Sequence, residues 1–431
     1  MKDDNKKKLL SIAYIAVVFF SIHYFSIYYI LANFLDQYFN KTTLSILFAI
    51  GAILSIILSH FFGRILKKNT NEKSLSAILI IQFLITLSLS FTNILNIYLI
   101  AILAIIQFAL FTLIWVSINI FISEFSDQEN IGTIRGTILT IYSFGAISAP
   151  FLMSQIFNLF GYSSLFLVSS FALIPLFYIN RSFFKEVKEP KYKHFGLRKS
   201  LKVVFKDKDI RGVIISSFFL NSFFTVMNIY LVLYLTEIIG IPIVLYLELI
   251  LPISLIPFII VPYNLGKYSD EIFGEKKAML FGIFLMSSIL ISIYIFNIKT
   301  TNIFLWMILI FLARVGATTT ETENYAYFYK KIDSRNAGLI ALFQNMTNIS
   351  FIFVTLFGAL LIGIFNINLP VILSLIGIIG LLTGLTIYHL SSDRKKSVKI
   401  KTTETSNKKI EKINSNKFLE KEENKKIKIW A

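Results

Sequence analysis

The chain has 431 residues, of which 55% are hydrophobic and 16% charged, with a formal net charge of +17 and no cysteine. A water-soluble domain this apolar would expose large sticky patches, so that class is excluded, as are disulfides and thiol chemistry. The positive charge is gathered in loops and one tail, where it sets topology and meets anionic lipid headgroups; it is not a nucleic-acid footprint.

Twelve apolar segments of bilayer-crossing length follow one another at residues 9–35, 42–63, 75–92, 95–122, 131–156, 161–180, 212–237, 241–264, 277–297, 302–327, 336–363 and 367–390. They are numbered spans 1 to 12. The runs are continuous and do not alternate, so the expected class is an all-α membrane protein and not a barrel. Span 1 follows Lys6, Lys7 and Lys8 but leads to no small-residue cleavage site, and reads as an uncleaved helix.

Charge alternates from loop to loop. One set holds the N-terminal lysines, then Arg64, Lys67, Lys68 and Lys73, then Arg135, the stretch 181–211, Lys267, Lys276 and Lys277, and finally Lys330, Lys331 and Arg335. The opposite set holds only Lys41 and Lys299. This bias predicts a multi-pass protein of the cytoplasmic membrane with both termini in the cytoplasm. Arg314 is the one basic residue expected deep inside a span. Residues 181–211 carry eleven Lys or Arg against four acids, and 391–431 carry thirteen against six. The first is read as a cytoplasmic linker between spans 1–6 (residues 1–180) and spans 7–12 (residues 212–390). The second is read as a disordered or lipid-associated tail.

Gly266, Asp270, Gly274, Lys276 and Lys277, in the loop after span 8, resemble the Gly-x-x-x-Asp-Arg-x-Gly-x-Lys/Arg-Lys/Arg signature of the major facilitator superfamily. Glu271 stands where the family has arginine, and one extra residue precedes Gly274. The equivalent loop after span 2 keeps Arg64, Lys67 and Lys68 but has Ser59, Gly63 and Leu66 at the other signature positions. The resemblance covers residues 9–390. It implies twelve transmembrane helices in two pseudo-symmetric six-helix bundles, with a solute site near the midplane between them. It also implies a secondary transporter of a small solute, coupled to protons and working by alternating access, as a monomer without cofactor or metal. The signature loops would gate the cytoplasmic side, with Asp270 as the acidic latch. A weaker echo, Gly145, Ala149 and Pro150 in span 5, fits either an exporter element of the same family or a kinked packing helix.

Ionisable groups inside a bilayer are expensive and face a partner or a wet cavity. The candidates are His23 in span 1, Glu248 in span 8, and Arg314, Glu321 and Glu323 in span 10. Arg314, Thr318, Glu321 and Tyr325 share one helical stripe. Arg314 lies about 10 Å from Glu321 along the axis, too far for a direct pair, so Glu248 is its first candidate partner, as a static ion pair or as part of a transport site. His23 competes with Glu321 and Glu323 for the proton-exchanging role. The amides Gln107, Asn119, Asn228, Gln344, Asn345 and Asn348 complete the set, as cavity lining or as interhelical glue. By resemblance spans 1, 4, 7 and 10 line the cavity, and His23, Gln107, Asn228 and Arg314 fall one on each. Tyr24, Tyr28 and Trp115 could stack on a ligand or pack against lipid. Pro252 and Pro257 should bend span 8.

Two other functions compete. A membrane-embedded transferase acting on lipid-linked substrates needs an acidic or metal-binding cluster at one membrane face, which the sequence lacks. A transporter-like sensor would signal through the tail. No phosphate-binding Gly-rich loop precedes a Lys-Ser/Thr pair, so the chain does not itself hydrolyse ATP.

Overall fold

The computed structural model describes residues 3–28, 30–185, 187, 197–242, 245–269 and 274–391; among them there is no strand. Span 1 is the helix Asp3–Tyr28, span 2 Lys41–Lys68, span 3 Asn71–Ser88 and span 4 Ile97–Phe125. Spans 5 and 6 share the helical run Ile131–Phe171, which breaks at Gly161 (φ 73°, ψ −169°). The left-handed φ there costs a glycine little. The chain turns back at that point. Gly145 packs on Ser21 and Ser169 bonds to His23, so residues on both sides of the break meet the same level of span 1. Span 7 is Lys208–Asn228 followed by shorter pieces to Ile238, span 9 is Glu275–Ile295, span 10 Ile303–Lys331 and span 12 Leu369–Tyr388. Eleven stretches among the described residues are long and apolar enough to cross a bilayer, and the first limb of the Ile131–Phe171 run makes the twelfth crossing.

Local chemistry explains where these helices start. Asn40, Thr70, Asn96, Asp207 and Asn302 each stand just before a span and accept hydrogen bonds from its first free amides. An N-terminal amide left bare at a membrane edge would otherwise go unpaired. The bends also have causes. Span 8 is cut into Tyr246–Ile250, Leu251–Leu255 and Pro257–Tyr268, with a proline at each junction as expected. Span 11 breaks at Asn345, between Ala337–Gln344 and Met346–Gly363.

Large apolar side chains stay exposed on spans 3 (Ile80, Leu84), 9 (Phe281, Phe284) and 12 (Leu382, Leu385). Such a belt is stable only with lipid as solvent. Arg64, Lys67, Lys68, Lys276 and Lys277 fall with Arg181, Lys330 and Lys331 at one end of the molecule, called the basic end below. Ion pairs tie neighbouring spans there: Arg181 to Glu72 at 2.8 Å, Lys331 to Asp209 at 3.3 Å, and Lys330 to Glu275.

Where spans 1–6 meet spans 7–12, the tightest seam joins spans 5 and 8 toward the basic end. A Cβ on Gly136 would lie 2.1 Å from the Pro262 carbonyl oxygen, and one on Gly266 would lie 2.2 Å from that of Gly132. Thr140 reaches the Ile259 carbonyl at 3.4 Å. Gly266 therefore serves close helix approach, whereas Gly274 (φ 77°) serves the turn into span 9. Asp270 lies outside the described residues, as do most of 181–196 and the tail beyond 391. Gly136→Val is expected to wedge this seam open at a cost of about 1–3 kcal/mol. Thermal melting of purified protein checks it, with Gly384→Ala as the control, since a Cβ there meets nothing nearer than 3.9 Å.

Candidate functional site

The stripe predicted on span 10 faces the junction of the two halves and runs one turn further, as Arg314, Thr318, Glu321, Tyr325 and Tyr329. Two rows from the other half come to meet it. On span 1, Phe20, Tyr24 and Tyr28 repeat every four residues, with Tyr24 and Tyr28 stacked at 5.3 Å. On span 4, Phe111, Trp115, Asn119 and Ser123 do the same. Span 5 adds Arg135 and, two turns on, Tyr142.

These residues form one aromatic group. Tyr142 stacks on Trp115 at 5.0 Å, Trp115 on Phe20 at 5.4 Å, and Tyr24 meets the edge of Phe111 at 4.8 Å. The Trp115 indole lies against the Tyr325 hydroxyl. Glu321 lies within electrostatic reach of Tyr142 and Tyr325. Tyr24, Trp115, Tyr142, Glu321 and Tyr325 each keep part of their surface accessible, and Tyr28 is exposed. Among the described residues no hydrogen bond or ion pair engages the Glu321 carboxylate.

Below this group, toward the basic end, a chain of contacts crosses between the halves. Tyr325 donates to the Gln344 side-chain oxygen at 3.0 Å, and the Gln344 amide donates to the Tyr329 hydroxyl at 3.1 Å. The Arg135 guanidinium lies 3.4 Å from the Tyr329 ring centroid and donates to Asn119 and Ser123, both at 2.7 Å. Arg135 is fully buried. It stands four residues inside the helix Ile131–Phe171, so its reading as a loop charge is corrected, while Arg314 keeps its place near the middle of a span. Ser334 also donates to Glu124 across the halves. At mid-depth Asn348 donates to Ser55 at 3.0 Å, to Thr112 at 3.2 Å and to Asn345 at 3.2 Å. Asn345 and Asn348 do face together, and they join span 11 to spans 2 and 4.

The other candidates are placed elsewhere. His23 is buried among spans 1, 3 and 6. Its Nδ1 is 3.0 Å from the Ser169 carbonyl oxygen, and its Nε2 is 3.1 Å from the Gln82 side-chain nitrogen. That set suits a neutral ring with the proton on Nδ1. Gln107 accepts from Thr86 at 2.9 Å in the same region. His23→Ala should cost about 2–4 kcal/mol through the cavity and the lost bonds, read by thermal melting, while the response to an imposed pH gradient persists. Arg314 is buried beside Tyr246. A static pair with Glu248 would bury both groups, but Glu248 is exposed, as is Asn228 at the break in span 7. Glu323 is buried on another face of span 10. Lys276 donates to the Leu390 carbonyl at 3.2 Å and lies over the Tyr388 ring. Arg64, Lys67, Lys68 and Lys277 stay exposed.

The model of the Major Facilitator Superfamily matches residues 13–272 and 247–427. No curated protein matches the chain. The fold is similar to that of a bacterial homologue of the iron transporter ferroportin in an outward-facing state, with TM-score 0.74, 14% identity, and coverage of 88% of this chain and 98% of that one. It is similar to the fucose:proton symporter of E. coli (TM-score 0.71, 16% identity, 89% and 98% covered). A proton:xylose symporter bound to a bromo-deoxyglucose gives TM-score 0.67 at 14% identity, with 91% and 97% covered.

Proposed function

The chain belongs to the major facilitator superfamily, and on that footing we propose that it moves a small solute by alternating access, driven by protons that exchange at Glu321. It is a multi-pass membrane transporter. The observation that carries the coupling role is the open carboxylate of Glu321, about two-thirds of the way along span 10 and within reach of Tyr142 of the opposite half. An ionisable side chain is costly at that depth even on the mildest scales, about 2.5–3.5 kcal/mol, and no structural bond repays it here. Proton symporters of this fold exist, as the fucose and xylose carriers do by name, which makes proton coupling a natural reading.

The seams between the halves lie at mid-depth and toward the basic end, and the outer pieces of spans 7 and 8 pack mainly within their own half. We read this as the state open at the far end and shut at the basic one. The basic end is assigned to the cytoplasm by its lysines and arginines, so both termini are cytoplasmic. The working unit is read as a monomer of two six-span bundles, joined by the linker 181–211, with the basic loops and tail against anionic headgroups.

Because the chain has no cysteine, spin labels can be placed without removing any. The pair Lys68→Cys with Lys277→Cys reports the basic end, and Ile94→Cys with Phe296→Cys the far end; all four positions are exposed. Alternating access requires the two distances to change in opposite senses as pH is stepped in proteoliposomes. Two fixed distance distributions at every pH would overturn the proposal.

A further inference from the structure

The class of solute can be read from the chemistry that meets at the junction, given the transporter reading above. Among the described residues no cation pairs with the Glu321 carboxylate. The nearest fixed positive charges are committed or remote: Arg135 is stacked on Tyr329 and bonded to Asn119 and Ser123, and Arg314 lies two turns away beside Tyr246. His23 points to spans 3 and 6. What does face Glu321 is aromatic. Tyr142 approaches from span 5, Tyr325 from one turn below, and Tyr24, Tyr28 and Trp115 extend the same group.

An open carboxylate bordered by ring faces suits a positive charge carried on an apolar body. The rings' negative faces attract such a charge, while a sugar would call for a dense set of donors and acceptors, and an anion for a free arginine. We infer that this transporter carries an organic monocation, with its charged centre against Glu321 and its body stacked among Tyr24, Tyr28, Trp115, Tyr142 and Tyr325.

A consequence follows for stoichiometry. One carboxylate holds either one proton or one monocation. Occupancy by the two is exclusive, so the exchange is one proton for one cation and electrically neutral. The titratable groups within electrostatic reach of Glu321 are the phenols Tyr142 on span 5 and Tyr325 on its own span.

Binding of radiolabelled tetraphenylphosphonium to the purified full chain tests this. Expected are saturable binding that weakens as pH falls, no competition by the like-shaped anion tetraphenylborate, and loss of about tenfold or more in Glu321→Gln. Tyr142→Ala should weaken binding by a few-fold while Tyr142→Phe keeps it, which separates ring-face attraction from hydroxyl bonding. Thermal melting confirms that each variant is folded. If tetraphenylphosphonium, ethidium and benzyltrimethylammonium all fail to bind the wild type, or if Glu321→Gln binds them unchanged, the cation assignment is overturned. The spin-label distances, which need no solute, then still report whether the chain alternates.

Discussion

Glu321→Gln should erase the pH response of the conformational equilibrium without unfolding the protein. If one end-state binds one more proton at Glu321 than the other, the ratio of the two states shifts by up to tenfold per pH unit. Lower pH favours the state in which the carboxyl is cut off from water, because the neutral form is the cheaper one to desolvate. Higher pH favours the state in which it is wet. Glutamine keeps the shape and the hydrogen-bonding capacity but cannot ionise, so the slope should fall to zero. Flux driven by a pH gradient in proteoliposomes should fall to the level of empty vesicles. The readout is the spin-label distance at both ends, followed over about three pH units. A variant that kept the wild-type slope would show that another group couples the proton. Glu323 would be the next to test, since it is buried two residues further along span 10 on a different face.

The architecture was legible because its signals are long-range and redundant. Continuous apolar runs gave the spans, loop charge separated the two ends, and prolines gave the breaks in span 8. The stripe on span 10 was also legible, since the period of an α-helix places residues 314, 318, 321 and 325 on one line. Which residue on that line matters was not. Arg314 stands out in a sequence because charge in an apolar run is conspicuous, yet it is packed beside Tyr246, and the open group is Glu321. His23 stood out for the same reason. It is one position away from Tyr24, about 100° around the helix, and that rotation turns it to spans 3 and 6. Nothing in a single sequence fixes how a transmembrane helix is rotated about its axis; packing does. Tyr142 was invisible in a chain with 20 tyrosines and 43 phenylalanines. Arg135 was misread because an arginine near the start of a span looks like a topological anchor. Its one signal was position, since it follows Ile131 and Ile134 inside the helix and is not in the loop before it.

Arg135→Ala is expected to loosen the basic end, because the contacts around Arg135 run from the neighbourhood of Glu321 toward that end. Tyr325 borders Glu321 and bonds to Gln344; Gln344 bonds to Tyr329; Tyr329 lies under Arg135 from the opposite half. A guanidinium stacked on a ring and shielded from water contributes about 2 kcal/mol, which corresponds to about a thirtyfold change in the closed-to-open ratio. Arg135→Ala should therefore open the basic end by about that factor, seen as a longer Lys68→Cys to Lys277→Cys distance, with Asn119 and Ser123 left to solvate each other. Arg135→Lys should recover only part of the loss, since an ammonium is a point charge without the planar face that stacks here. The informative comparison is at Tyr329. Tyr329→Ala should match Arg135→Ala, whereas Tyr329→Phe keeps the ring and should keep the end closed. Phenylalanine cannot accept from Gln344, however, so that variant should lose the response of the basic end to events at Glu321. An unchanged distance in Arg135→Ala would mean that the other contacts between the halves, the glycine seam of spans 5 and 8 among them, hold the end shut without it. An unchanged pH response in Tyr329→Phe would mean that the signal from Glu321 travels by another route.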